Sequence, residues 1–137
     1  MRPPLWVGSF HAAGCDRGDV ARKTITLQRE NGEVLCERCL LADSFWRRFR
    51  GLLGRKELPQ GEGLLIRPSG SVHTLFMRFP IDVVFLDRED RVVKVVPSLR
   101  PWRLAAARGA RRTVELAAGA CSHVGLTPGE RLVWSAS

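Results

Sequence analysis

Apolar and polar residues alternate along 24–29, Thr-Ile-Thr-Leu-Gln-Arg, with the period of two that a half-buried β-strand requires. Asn31-Gly32 supplies the residues of a tight hairpin turn, and 34–42 returns as the partner strand. The period then changes. Asp43 or Ser44 can cap a helix beginning at Phe45, in which Phe45, Trp46, Phe49, Leu52 and Leu53 share one face while Arg47, Arg48 and Arg50 point elsewhere. Gly54 closes that helix. Gly61 and Gly63 mark a turn into a short buried strand at 64–66, stopped by Pro68.

Strands follow at 72–77, 83–87 and 91–96, the last two joined by the polar tip Arg88-Glu89-Asp90. Val83-Val84-Phe85-Leu86 and Val92-Val93 are continuous apolar runs, so both faces of these strands should be covered. Stretches 97–102 and 105–111 read as loops or irregular edges, 113–116 as a strand, 117–124 as a short helix closed by Gly125, and 132–134 as the final strand after the Thr127-Pro128-Gly129-Glu130 turn. Many short strands, two brief helices and no βαβ alternation predict a mainly β fold with minor α, a compact antiparallel barrel or sandwich.

Length and composition narrow the class. At 137 residues, 45% hydrophobic and 26% charged, the chain suits one globular domain, here residues 23–137, preceded by a tail at 1–22 that is expected to be flexible. No apolar run reaches the length of a membrane-spanning helix. The net charge of +8 favours anionic partners. Arg outnumbers Lys by 19 to 3, however, a bias that a GC-rich coding sequence also produces. Residues 5–10 are apolar, and Ala12-Ala13-Gly14-Cys15 resembles a lipoprotein cleavage box, but Gly8 interrupts the apolar stretch. A cytoplasmic monomer is the expectation, with lipoprotein export through Cys15 as the alternative.

From about Leu41 onward the chain carries Arg50-Gly51-Leu52-Leu53-Gly54-Arg55, Glu62-Gly63-Leu64-Leu65, His73-Thr74-Leu75-Phe76-Met77-Arg78 and Pro80-Ile81-Asp82-Val83-Val84-Phe85-Leu86-Asp87. Glu115-Leu116-Ala117-Ala118-Gly119 and Gly125-Leu126-Thr127-Pro128-Gly129-Glu130 follow in order. Over roughly 95 residues this series resembles the uncharacterised DUF192 family of bacteria and archaea. That family commonly has Trp-Met-Lys and a longer linker to Pro-Leu-Asp, whereas Phe76-Met77-Arg78 here runs directly into Phe79-Pro80; Met is also common where Leu53 stands. The shorter corner should reshape any groove there. The resemblance implies a compact β-rich domain and no established reaction.

Four constellations could carry chemistry. Asp82 opens an apolar strand four residues after Arg78, so its carboxylate must be paired or hydrogen-bonded; it is either in a structural ion pair that fixes the corner or, with Arg50, Phe76 and Arg78, part of a groove for an anionic ligand or peptide. His73 lies upstream, and with Asp82 it would be the pair of a small hydrolase or lyase. Cys36-x-x-Cys39 with His11 and Cys15 gives four zinc-type ligands, although on a regular strand Cys36 and Cys39 point to opposite faces. Cys121 and His123 are spaced i, i+2 on a short helix, which turns them apart. The arginines form two clusters, Arg47, Arg48, Arg50, Arg55 and Lys56, then Arg100, Arg103, Arg108, Arg111 and Arg112, with Trp46 and Trp102 interleaved as in a nucleic-acid surface or, equally, a solvated face over core tryptophans. No phosphate loop, dinucleotide fingerprint or metalloprotease helix occurs. The expected function is a non-enzymatic binding or accessory domain for an anionic ligand or peptide, with nucleic-acid binding second and the His73–Asp82 enzyme third.

Overall fold

The computed structural model describes residues 23–42, 57–75 and 77–136. Their strands are β1 (Lys23–Arg29), β2 (Val34–Ala42), β3 (Glu62–Ile66), β4 (Ser71–His73), β5 (Ile81–Leu86), β6 (Val92–Leu99), β7 (Leu104–Ala106), β8 (Arg112–Ala117) and β9 (Leu132–Ala136), with one short helix, α1 (Ala120–Val124). The expected helix from Phe45 and the tail at 1–22 lie outside the described residues.

Seven strands form one sheet in the order β6-β5-β8-β3-β2-β1-β9, and β4 pairs with β7 in a second, two-stranded sheet. All pairs are antiparallel except β2 with β3, so the expected all-antiparallel arrangement is corrected at one place. The large sheet curls until its two end strands approach each other. Arg91 and Arg131 form a bridge, Val92 N–H donates to Glu130 O (2.7 Å) and Leu132 N–H to Asp90 O (2.9 Å).

Curling creates two apolar compartments. Inside the curl, Leu27, Leu65, Val84, Leu86, Val114, Leu116 and Leu132 pack with Ala120 and Cys121 of α1. On the convex side, Ile81, Val83 and Phe85 pack with Leu64, Ile66 and Val72 beneath the β4–β7 pair. Strand β5 therefore lies between them, and all six of its residues are buried, as its unbroken apolar run requires.

Four elements differ from the sequence expectation. Strand β4 ends at His73 because the backbone of Thr74 turns away, its N–H donating to Arg103 O (2.9 Å) and its carbonyl accepting from Trp102 N–H (2.9 Å). Strand β6 continues through Pro97 to Leu99. It occupies the end of the sheet order, where the missing N–H of proline costs no ladder bond, and a register shift between Ile81/Leu99 and Val83/Val96 absorbs the extra residue with Ser98 at φ 48°. Strand β7 forms at 104–106, where the sequence predicts a loop or irregular edge from residue 105, because pairing with β4 completes a two-stranded sheet. The helix expected over 117–124 starts only at Ala120, because Ala117 is still paired in β8 with Ile81.

Candidate functional site

Only part of the expected corner site falls among the described residues. Arg50 and Phe76 lie outside the described residues, and Arg78 is exposed. Asp82 is fully buried, and its carboxylate accepts from two backbone amides, Ser98 N–H (2.8 Å) and Cys121 N–H (2.9 Å). It thereby ties the bulge in β6 to the first turn of α1. His73 and Asp82 share no cleft. Asp82 has the parity of Val84 and Leu86 and bonds to α1 within the curl, whereas β4 covers the convex face through Val72. The sheet stands between them, which removes the geometry that a His73–Asp82 hydrolase or lyase requires.

The cysteines correct the strand-parity expectation. In the β1–β2 pairing, Ile25 faces Cys39 and Leu27 faces Cys36, so two steps on β1 match three on β2. This bulge rotates both thiols to the inside, where each is almost wholly buried. Cys36 Sγ lies 3.5 Å from Gly61 O. The hydrogen bond to Cys36 and then burial push the Cys39 thiol well up, with the charges of Cys36 and Glu115 adding. Burial, followed by the charge of Asp82 and a hydrogen bond to it, pushes the Cys121 thiol up to about 12. Among the described residues no three His, Cys, Asp or Glu side chains gather as a metal site, and His11 and Cys15 fall outside them. On α1, Cys121 is buried while Ser122 and His123 are exposed.

A thiol is nucleophilic only as thiolate. Because all three are buried out of reach of the reagent, Cys36, Cys39 and Cys121 should resist iodoacetamide in the native protein at pH 8 and become labelled only on addition of denaturant; mass spectrometry of the labelled peptides reads this directly. Native labelling at any of the three would contradict their burial. For Cys121 the shift is upward from 9.0, so its contribution to stability is intact below about pH 9 and is lost as pH rises toward about 12.

Arginines converge at the other end of β5. There β3 ends, β5 ends and β8 begins side by side, with Ile66 opposite Thr113 and Leu86 opposite Arg112. The residues flanking these strand ends, Arg67, Pro68, Arg88, Arg111 and Arg112, line a cleft of about 420 Å³. Its walls are tied together. The Arg67 guanidinium lies 5.6 Å from the centre of the Trp134 ring, Trp134 Nε1 donates to Asp90 Oδ2 (3.0 Å), and Arg112 Nη1 donates to Asp90 Oδ1 (2.9 Å) and Arg88 O (3.0 Å). The Arg91 backbone N–H, outweighing the partial burial that opposes it, holds the Asp87 carboxyl below its usual range; the Glu89 N–H and the charges of Arg91 and Arg112 contribute. Asp90 forms an ion pair with Arg112, and Arg88 and Arg111 add positive charge to the cleft.

Arg111 and Arg112 were singled out by the sequence as part of a cluster, but Arg67 and Arg88 were not. Their only signal is positional, since each follows closely on the last residue of a strand, and it becomes visible once the strand register is known. A second hollow of about 520 Å³ between β2 and α1, lined by Val34, Leu35, Glu37, Gln60, Ala120 and His123 among others, has no such convergence of charge.

No helix among the described residues is long and apolar enough to cross a membrane. The family model described as "Uncharacterized ACR, COG1430" (DUF192) matches residues 26–134. The UPF0127 protein PF1050 of Pyrococcus furiosus is 38% identical over 100 residues, covering 69% of this chain and 84% of that one. Among solved structures, protein R01717 of Sinorhizobium meliloti 1021 superposes with a TM-score of 0.71 at 21% identity, over 83% of this chain and 94% of the other. A protein of unknown function from Novosphingobium aromaticivorans DSM 12444 gives 0.69 at 24% identity, over 81% and 84%. The two structures share the fold. With its family model spanning nearly the whole described domain and an archaeal relative at 38% identity, the chain belongs to the DUF192 (UPF0127) family.

Proposed function

We propose that this domain is a non-enzymatic binding module for a small anionic ligand, and that the arginine-walled cleft at the ends of β3 and β5 receives it. The observation that carries this reading is the convergence of Arg67, Arg88, Arg111 and Arg112 around about 420 Å³. Guanidinium groups present planar paired donors that match phosphate or carboxylate oxygens, and their charge does not titrate at physiological pH. Stacking on Trp134 and bonding to Asp90 restrain two of the four walls before a ligand arrives, which lowers the ordering cost of binding. The cleft replaces the corner around Arg78 and Asp82 as the best-supported site, because the Asp82 carboxylate is engaged by backbone amides.

The test is calorimetric titration and thermal unfolding with inorganic phosphate, pyrophosphate, nucleotides, a phosphopeptide and a single-stranded oligonucleotide. At least one anion should bind, and Arg88→Ala with Arg111→Ala should weaken it by tenfold or more, the order expected for lost charge-assisted hydrogen bonds worth about 1.5–3 kcal/mol each. Equal affinity in the double variant would remove the cleft from consideration. Five arginines and no acidic residue between Val95 and Val114 favour a longer polyanion as the second reading. Oligonucleotide affinity that falls steeply with salt, through counterion release, would select it.

A further inference from the structure

The opposite end of β5 carries a different surface. Trp102 is 55% exposed and Leu104 74% exposed, and Ala106 lies beyond Leu104 on the outer face of β7. Exposed arginines flank them at Arg100, Arg103 and Arg108, within a stretch containing no acidic residue. An apolar ridge rimmed by one sign of charge marks an interaction surface rather than scattered exposure.

The ridge is held rigid from below by Thr74, which is fully buried. Its Oγ1 donates to Arg100 O (2.6 Å) and accepts from Arg103 N–H (2.9 Å), while its backbone bonds Trp102 N–H and Arg103 O. Trp102 is thereby fixed at φ 63°, a left-handed conformation that a bulky residue rarely adopts. The fold thus displays an indole outward in a strained turn, and little ordering remains to be done on contact.

We propose that this ridge docks the domain onto an anionic phospholipid surface. Trp102 would sit at headgroup depth, Leu104 would enter the acyl boundary, and Arg100, Arg103 and Arg108 would meet lipid phosphates. The chemistry favours this occupant over a nucleic-acid strand. A base can stack on Trp102, but the most exposed apolar side chain of the ridge is Leu104, which offers a base no ring to stack on and gains most from a hydrocarbon boundary. Indole and leucine beside arginine is the combination that suits a water–membrane interface. One apolar anchor alone binds weakly, so apolar insertion and charge must act together.

Co-sedimentation of the whole chain with vesicles of phosphatidylcholine, alone or mixed with phosphatidylglycerol, tests the proposal. Binding is expected only to the mixed vesicles and should fall on adding salt. Leu104→Ser and Trp102→Ser should each lower partitioning by about tenfold, and Arg103→Glu by at least fivefold. All three positions are exposed, so unchanged thermal unfolding of the variants serves as the folding control. No sedimentation with anionic vesicles would overturn the proposal. So would full binding by the Trp102→Ser/Leu104→Ser double variant. Oligonucleotide binding abolished by Trp102→Ser but untouched by Leu104→Ser would replace the lipid surface by a nucleic acid.

Discussion

Asp82→Ala should lower the unfolding free energy by about 3–5 kcal/mol, because two backbone amides lose a charged acceptor inside a site that water does not reach. The side chain is fully buried, and its two oxygens each take one amide, at 2.8 and 2.9 Å. Ser98 N–H belongs to the left-handed position of the β6 bulge, and Cys121 N–H to the first turn of α1. The substitution therefore strikes two elements far apart in sequence at once. Asp82→Asn keeps the shape but leaves one acceptor oxygen in place of two, so its cost should be smaller. Urea denaturation of the three proteins gives the comparison, and an Asp82→Ala variant within 1 kcal/mol of the natural chain would refute the anchoring role.

Gly63→Ala should cost about 3 kcal/mol through overpacking. A methyl group on Gly63 would lie 2.7 Å from Glu115 O, 2.8 Å from Leu116 Cδ2 and 3.0 Å from Cys36 Sγ. The first contact decides the outcome. Glu115 O is backbone in β8, and β8 is held between β3 and β5. It cannot withdraw without breaking a ladder, whereas the Leu116 side chain can rotate. Thermal unfolding of Gly63→Ala should show a clear drop in midpoint, and an unchanged midpoint would mean that β3 and β8 shift apart freely.

These residues also show what a linear reading can and cannot supply. The hairpin from β5 to β6 is legible because an apolar run, a charged tip and a second apolar run are all local signals. That Asp82 needs partners follows from its neighbours; which partners it has does not, since Cys121 lies 39 positions away. Pro97 marks a strand end in the sequence, yet β6 continues past it, because proline's effect depends on the strand's place in the sheet order. The inward rotation of Cys36 and Cys39 depends on a register shift against β1, which the pattern of β2 alone does not encode. The arginine cleft is hidden for a related reason. Its four cationic walls come from three separate strand ends and are gathered only by the pairing of β8 with both β3 and β5.

The meeting of Arg91 with Arg131 has a bearing on how the protein behaves at high concentration. An open sheet ends in two rows of unsatisfied backbone groups, each a template on which another copy can add a strand. Here the first residues of β6 and β9 spend their N–H groups across the gap, Val92 on Glu130 O and Leu132 on Asp90 O. Further along β6, Lys94, Pro97 and the bulge at Ser98 make its outer side a poor template, through charge, a missing N–H and a broken repeat. Growth of fibrils by strand addition would first have to uncurl the domain, so the resistance of solutions of this protein to such growth should track its global stability rather than the charge of its surface.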